Sequence, residues 1–346
     1  MWQLGTCSAR DGLVALASSL LTFAAVMCAN AHPTATAATA SSAFLEFGRA
    51  LSIAGNTPRR HETLPVGGVS SLLKDLGCGI ANGKSTPLHF VNGFGLNRTM
   101  VDIGLFNGAD TVSAVKAGFR VYAFEPVRKH MELVKAAFAR AGLAEGTDYQ
   151  SVTLGPSGQL TTSLLPPQPG RGIAYLFLAA AGPAHDYRTI TQDGVGSSLV
   201  DPHMRQEKPL ERVQIVPVSD YVHEDVYYFK CDTQGFDKDA LTGALPLFRN
   251  HHVRLVLTEL YPRGLEGAGT SADELLDLLT ERLGFVCFSS MLANNAPHHL
   301  PAGHPEARGA FLEQIRAYHE KLPSRNRWGF FDDLTCINPR MAAGRG

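Results

Sequence analysis

Charge of one sign is the first thing missing. Lys and Arg number 31 against 32 Asp and Glu across 346 residues, a formal net charge of −1. That balance leaves no global electrostatic footprint for nucleic acid, and the Arg59–Arg60 pair is too short to make one. No C-x-x-C pair occurs, so the usual zinc-site spacing is absent, and His251–His252 reads as a solvated turn before a strand. The G-x-G-x-x-G of dinucleotide binders is missing, and the D-x-G-x-x-x-G spacing of Asp102–Gly108 lacks the Gly-Lys-Ser/Thr ending of a P-loop. A nicotinamide oxidoreductase is thereby disfavoured. Heptads and internal repeats are absent too. Beyond residue 31 no apolar run is long enough to span a membrane.

What is present begins with an unusual amino terminus. Arg10 precedes an uncharged run from Gly12 to Cys28, and Ala29-Asn30-Ala31 is a small-x-small cleavage site. Residues 1–31 read as a secretory signal peptide or an uncleaved signal anchor, hence a single N-terminal membrane anchor at most. A buried helix and an organelle transit peptide are the alternatives. Residues 32–43 read as a low-complexity linker, 44–87 as a lead-in, 88–340 as the main domain and 341–346 as a tail. The expected location is the secretory pathway, as a lumenal or secreted protein, with organelle targeting second. Asn97-Arg98-Thr99 is an N-x-S/T sequon that fits that location. Cys231, Cys287 and Cys336 lie in apolar strand-like runs, where buried free thiols are the common case; disulfides remain open, without an assignable pairing.

The stretch that organises the chain is Met100–Pro126. An apolar run holding Asp102 ends at Gly104. A turn with Asn107 and Gly108 leads to a short amphipathic helix over about Thr111–Ala117, stopped by Gly118. A second apolar run, Val121–Phe124, ends on Glu125 and Pro126. Strand–helix–strand units of this kind build parallel sheets whose ligands sit outside the carboxyl ends of the strands. The glycines permit a tight turn, the helix start offers N–H groups, and Glu125 can accept from ribose hydroxyls. A nucleoside bound through its ribose, such as S-adenosylmethionine, fits this better than a pyrophosphate. The plain alternative is a structural turn with Glu125 solvated.

Val127, Met131, Val134 and Phe138 form one apolar helical stripe ended by Gly142, and Tyr149–Leu154 and Ile173–Ala181 read as strands. Gly194–Leu199 is a glycine-serine loop, and Val213–Val218 another strand. Tyr227–Asp232 is a strand with a charge at its tip, after which Asp237 is placed to cap a helix. Arg254–Leu260 carries Glu259 near its end, and Ser271–Glu274 is a capping box.

Two blocks together resemble the FkbM-type methyltransferases. One is Asp102-Ile103-Gly104, Gly108, Thr111 and Ala123-Phe124-Glu125-Pro126. The other is Lys230, Asp232, Gln234, Gly235, Asp237, Leu241 and Gly243. The Gly196–Leu199 and Ser219–Tyr221 segments stand in the same order, and the likeness covers about residues 88–340. Two departures stand out: Phe106 occupies the place of an Asn, with Asn107 displaced by one, and Asp237 stands where Glu is commoner.

The resemblance implies an α/β, Rossmann-like class I methyltransferase sandwich, a mostly parallel seven-stranded sheet with helices on both faces. It implies S-adenosylmethionine as cofactor, held by Asp102, Gly104, Asn107, Gly108, Glu125, Pro126, Ser198 and Asp232. It implies Asp232 as the positioning or proton-accepting group, with Lys230 and Glu259 as lesser catalytic participants; a strand-edge charge and a structural cap are the plain readings of those two. The expected acceptor is a hydroxyl on a sugar, small molecule or glycoconjugate. A degenerate, non-catalytic binding module is the alternative that Phe106 raises.

Overall fold

The computed structural model describes residues 98–191, 197–199, 210–289, 299–320 and 329–338. The segments read as signal or anchor, linker, lead-in and tail lie outside the described residues, as do Asn97, Gly194 and Gly196.

Six strands run parallel side by side. Strand β1 (Thr99–Ile103) pairs with β2 (Arg120–Phe124) and with β8 (Val226–Cys231). Outside β2 lies β4 (Ile173–Phe177), then the short edge strand β3 (Tyr149–Val152). Beyond β8 the sheet continues with parallel β9 (Val253–Leu260). It turns antiparallel through β12 (Asp332–Ile337), β10 (Val286–Ser289) and β11 (His299–Leu300). The order is therefore β11-β10-β12-β9-β8-β1-β2-β4-β3, nine strands where seven are expected. The class is as expected; the two short edge strands, β3 and β11, account for the difference.

Alternation along the central strands explains why the sheet is covered on both faces. Met100, Val121 and Ala123 face a layer with Ala114, Val115, Met131, Val134 and Phe138. These come from α1 (Ala109–Lys116) and α2 (Arg128–Arg140). Val101, Ile103 and Phe124 face the opposite layer with Ala240, Leu241, Leu275, Leu276, Phe311 and Ile315. Those belong to α3 (Asp237–Gly243), α6 (Ala272–Asp277) and α7 (Ala307–Glu320); two short helices, α4 (Leu245–Asn250) and α5 (Pro262–Gly267), precede α6.

The run Ile173–Ala181 is not one strand. It breaks after Phe177, and β5 (Ala180–Ala181) joins a separate three-stranded sheet with β7 (Leu210–Val216) and β6 (Asp186–Thr191). The Val213–Val218 stretch accordingly belongs to that second sheet, and its strand ends at Val216, two residues earlier than the alternation suggests. Ser271 accepts from the Glu274 amide as a cap should, at 3.2 Å, while the Glu274 carboxylate goes to Lys238 and Thr270 instead of closing the box.

Cys287 and Cys336 form a disulfide. Free thiols were the common-case reading, and the structure corrects it: antiparallel register sets the two residues directly opposite on β10 and β12. Cys231 is a buried free thiol, as that reading has it.

Candidate functional site

Because β1, β2 and β8 are parallel, the turns that follow them open on the same edge of the sheet. Asp102 lies one residue inside that edge and is fully buried. Its Oδ2 accepts from Thr111 Oγ at 2.6 Å, and its Oδ1 from Lys230 Nζ at 3.3 Å. Burial pushes this carboxyl up, and the Lys230 charge partly offsets the push. The Lys230 ammonium also donates to the Gly104 carbonyl at 3.2 Å and lies 3.6 Å from Asp110. Burial works against its charge, yet Asp102, Asp110 and Asp232 together raise it well above an ordinary lysine. Lys230 is thus a brace under the first turn. Its strand is interior to the sheet, so the strand-edge reading does not hold.

Gly104 is where two turns touch. Its φ is +82°, and a Cβ there would lie 1.8 Å from the Asp232 carbonyl oxygen. Asp232 N in turn donates to Ile103 O at 3.0 Å. The glycine therefore admits the neighbouring turn of the chain itself. Gly108, at the start of α1, likewise admits Val134 of α2, whose Cγ1 would be 2.9 Å from a Cβ. Asn107 Oδ1 accepts from Ala109 N at 3.1 Å, which lets α1 start two residues before the expected Thr111.

Glu125 stands at the tip of β2, 3% exposed. Its Oε1 accepts from Val127 N at 2.9 Å and faces His130 Nδ1 at 3.2 Å; its Oε2 accepts from Phe106 N at 3.0 Å. Phe106 has φ +50°, a left-handed conformation that suits the Asn it replaces better than Phe. Its ring packs edge-on against His130, centroids 5.2 Å apart. The sequence reading missed His130; its place five residues after Glu125, on the buried face of α2, is the signal that was there. Pro126 follows Glu125 half-buried, with no N–H to compete for the carboxylate.

The third turn gathers the acids. Gln234, held at φ +54°, donates from Nε2 to Asp232 Oδ1 and to Glu259 Oε1, 3.1 Å each. Ser198 Oγ donates to the Gln234 carbonyl at 3.0 Å, and Ser198 is itself tied to Thr191 of β6. Asp237 accepts from Thr233 N at 3.3 Å and Gly235 N at 3.1 Å. It closes the turn, and the cap of α3 proper is Phe236, a correction to the expected helix cap. Burial and then the Asp232 charge raise the Asp237 carboxyl to about 7 against those hydrogen bonds. Glu259 is 8% exposed, and its Oε2 is buried with no hydrogen-bond partner. Burial first, then Asp232, Asp237 and Asp333, push it well above the carboxylate range. A structural cap does not describe an acid with an orphaned oxygen. Gly235 meets Gly264 of α5 backbone to backbone: a Cβ on Gly235 would be 2.4 Å from the Gly264 Cα, and one on Gly264 2.7 Å from the Gly235 Cα. Among the described residues no group of His, Cys, Asp and Glu is arranged to hold a metal ion.

The structure thus brings Asp102, Gly104, Asn107, Gly108, Glu125, Pro126, Lys230, Asp232, Glu259 and Ser198 to one edge, in three interlocked turns. Gln234, present in the sequence pattern without a role, is the residue that joins two of the acids.

Comparison with known proteins bears on this arrangement. No curated protein matches the chain. Among solved structures, a methyltransferase FkbM from Methylobacillus flagellatus KT is 16% identical, with a TM-score of 0.35, over 70% of this chain and 44% of that one. The present chain therefore spans less than half the length of that structure. A methyltransferase from Streptococcus mutans in complex with SAH is 11% identical, TM-score 0.34, over 70% of this chain and 90% of the other. An O-methyltransferase from Bacillus cereus in complex with SAH is 13% identical, TM-score 0.28, over 85% and 90%. The family model for the methyltransferase FkbM domain matches residues 102–287, from the buried aspartate of β1 to the disulfide cysteine of β10 and just over half of the chain. On that match the chain belongs to the FkbM methyltransferase family.

Proposed function

We propose that this protein is an S-adenosylmethionine-dependent methyltransferase acting on a hydroxyl of a sugar, small-molecule or glycoconjugate acceptor. One observation carries the reading: the Glu125 carboxylate at the tip of β2 is fixed by Phe106 N, Val127 N and His130, yet its Oε2 takes only one of those donors. A carboxylate oxygen has two lone pairs, so Oε2 keeps one for a ribose hydroxyl. The residues present therefore fit the cofactor's ribose.

When bound, S-adenosylmethionine supplies an electrophilic methyl group on a sulfonium. The chain's own work is to hold and align. Glu125 orients the ribose; the 104–108 turn flanks the methionine portion; Asp102, braced by Thr111 and Lys230, keeps that turn in shape. Asp232, beside Gly104, takes the acceptor's proton, and alignment of the acceptor oxygen supplies much of the rate. The domain responsible is proposed to span residues 88–340. A secretory location is part of the proposal, and the Cys287–Cys336 disulfide supports it, since such bonds persist in oxidising compartments.

Phe106, strained at φ +50° in the place of an Asn, favours a second reading, a binding module that no longer transfers methyl groups. Calorimetric titration of S-adenosylmethionine into the full chain tests the first reading. The wild type binds, and Glu125→Gln weakens binding about tenfold or more, the loss of one charge-assisted hydrogen bond. Absence of binding by a wild type with native circular dichroism overturns it; binding without transfer to any of a panel of hydroxylated acceptors supports the second reading.

A further inference from the structure

Three features of the third turn remain without a use. The Gln234 amide commits both its N–H groups to two different carboxyls, Asp232 Oδ1 and Glu259 Oε1. The Glu259 side chain is more than nine-tenths buried, and its Oε2 has no partner. The turn that carries them abuts Gly104 of the first turn, so the pair borders the proposed cofactor site.

The two carboxyls share one amide nitrogen, and the Asp232 charge is, after burial, the largest push raising Glu259. The charged groups around them have the same effect. Asp237 of α3 and Asp333, the register partner of Glu259 on β12, add negative charge. Lys230 is turned toward Asp102, Gly104 and Asp110. An orphaned Oε2 fits a carboxyl that carries a proton better than one that is charged.

We propose, on the methyltransferase reading above, that Asp232 and Glu259 act as one carboxyl pair, locked by Gln234, which releases its shared proton when a sulfonium binds beside it and regains one from the acceptor hydroxyl as the methyl leaves. The balance closes. The acceptor oxygen forms the new O–C bond with a lone pair, and the C–S bonding pair stays with sulfur, which becomes neutral. The O–H proton passes to Asp232, so the pair goes from two negative charges to one while the sulfonium charge disappears. Glu259 acts through Asp232 and is a positioning residue; Gln234 keeps the two in register. The site suits a nucleophile that loses a proton on methylation, the class to which a hydroxyl belongs.

The test counts protons. S-adenosylmethionine and S-adenosylhomocysteine are titrated separately into the full chain at pH 7, in buffers of different ionisation enthalpy. The ligands share the same α-amino and carboxyl groups and differ in the sulfonium charge. The wild type is expected to release about one proton more with the methylated ligand, and Glu259→Gln to bind both ligands and lose that difference. Equal proton counts for the two ligands in the wild type overturn the pair, as does an undiminished difference in Glu259→Gln. Should that variant fail to fold, the wild type decides over pH 6–9, where absence of any difference overturns the pair. Failure of either ligand to bind a folded wild type overturns the cofactor reading, and the pair with it.

Discussion

Gly104 shows how much of this site is decided by single atoms. With a Cβ 1.8 Å from the Asp232 carbonyl and φ at +82°, no side-chain rotation relieves an alanine there. Gly104→Ala is expected to cost more than about 3 kcal/mol, by backbone displacement plus left-handed strain, in urea unfolding. A cost under about 1 kcal/mol would mean that the two turns do not touch in solution. The glycine was readable in the sequence as a turn residue, but its neighbour was not. Spacing says that a Cβ must be absent; only the pairing of β1 with β8 says what fills the space. The same holds for Gln234, whose amide acquires a meaning once β9 sets Glu259 beside it. Val127, Met131, Val134 and Phe138 are the opposite case. Their helical period already specifies one buried face, and all four are buried.

At the scale of elements, strand–turn–helix–strand over Met100–Pro126 was legible because each piece carries its own signal: an apolar run, glycines, a short amphipathic stretch. The far side of the sheet was not. Its order, β9-β12-β10-β11, brings the last of the described strands between two earlier ones, and nothing local in Leu334–Ile337 announces that insertion. The disulfide depends on it entirely. Cys287 and Cys336 are 49 residues apart in sequence and meet because β12 lies antiparallel to β10. Closing a loop of that length removes unfolded-state entropy equivalent to about 4 kcal/mol. Replacing both cysteines with alanine is therefore expected to lower stability by up to about that amount in urea, measured without reductant, and reductant should no longer matter to the variant. A reductant-insensitive wild type would show that the bond does not form.

The molecule as a whole carries an unusual load of buried acid on one edge. Asp102, Asp237 and Glu259 all have carboxyls raised above their ordinary values, chiefly by burial. A group whose pKa is higher in the fold than in the unfolded chain contributes stability that is fully present below the unfolded value. That contribution is lost as pH rises through the folded value. With unfolded values of 3.8 and 4.5, the loss starts near those values and continues through neutrality. Asp148 and Glu274, shifted the other way, act only where pH falls below the carboxylate range. The protein is thus expected to be more stable at pH 5 than at pH 8, and Glu259→Gln, an isostere of the neutral acid, to flatten that slope. Thermal unfolding across this range checks it; a rise in stability from pH 5 to 8 would contradict the burial argument.

The contact between Gly235 and Gly264 has a consequence for how this chain can change over generations. Each glycine excludes a side chain because the other's backbone occupies the space, joined at Gly264 by the Tyr261 ring, so neither position tolerates drift while its partner stays. Changing both at once does not help, since two new methyl groups would meet in the same gap. The turn that presents Asp232 is therefore fastened to α5 at a point evolution can abandon only by moving the whole helix. Variation in the acceptor site must then arise in loops that do not pass through this contact.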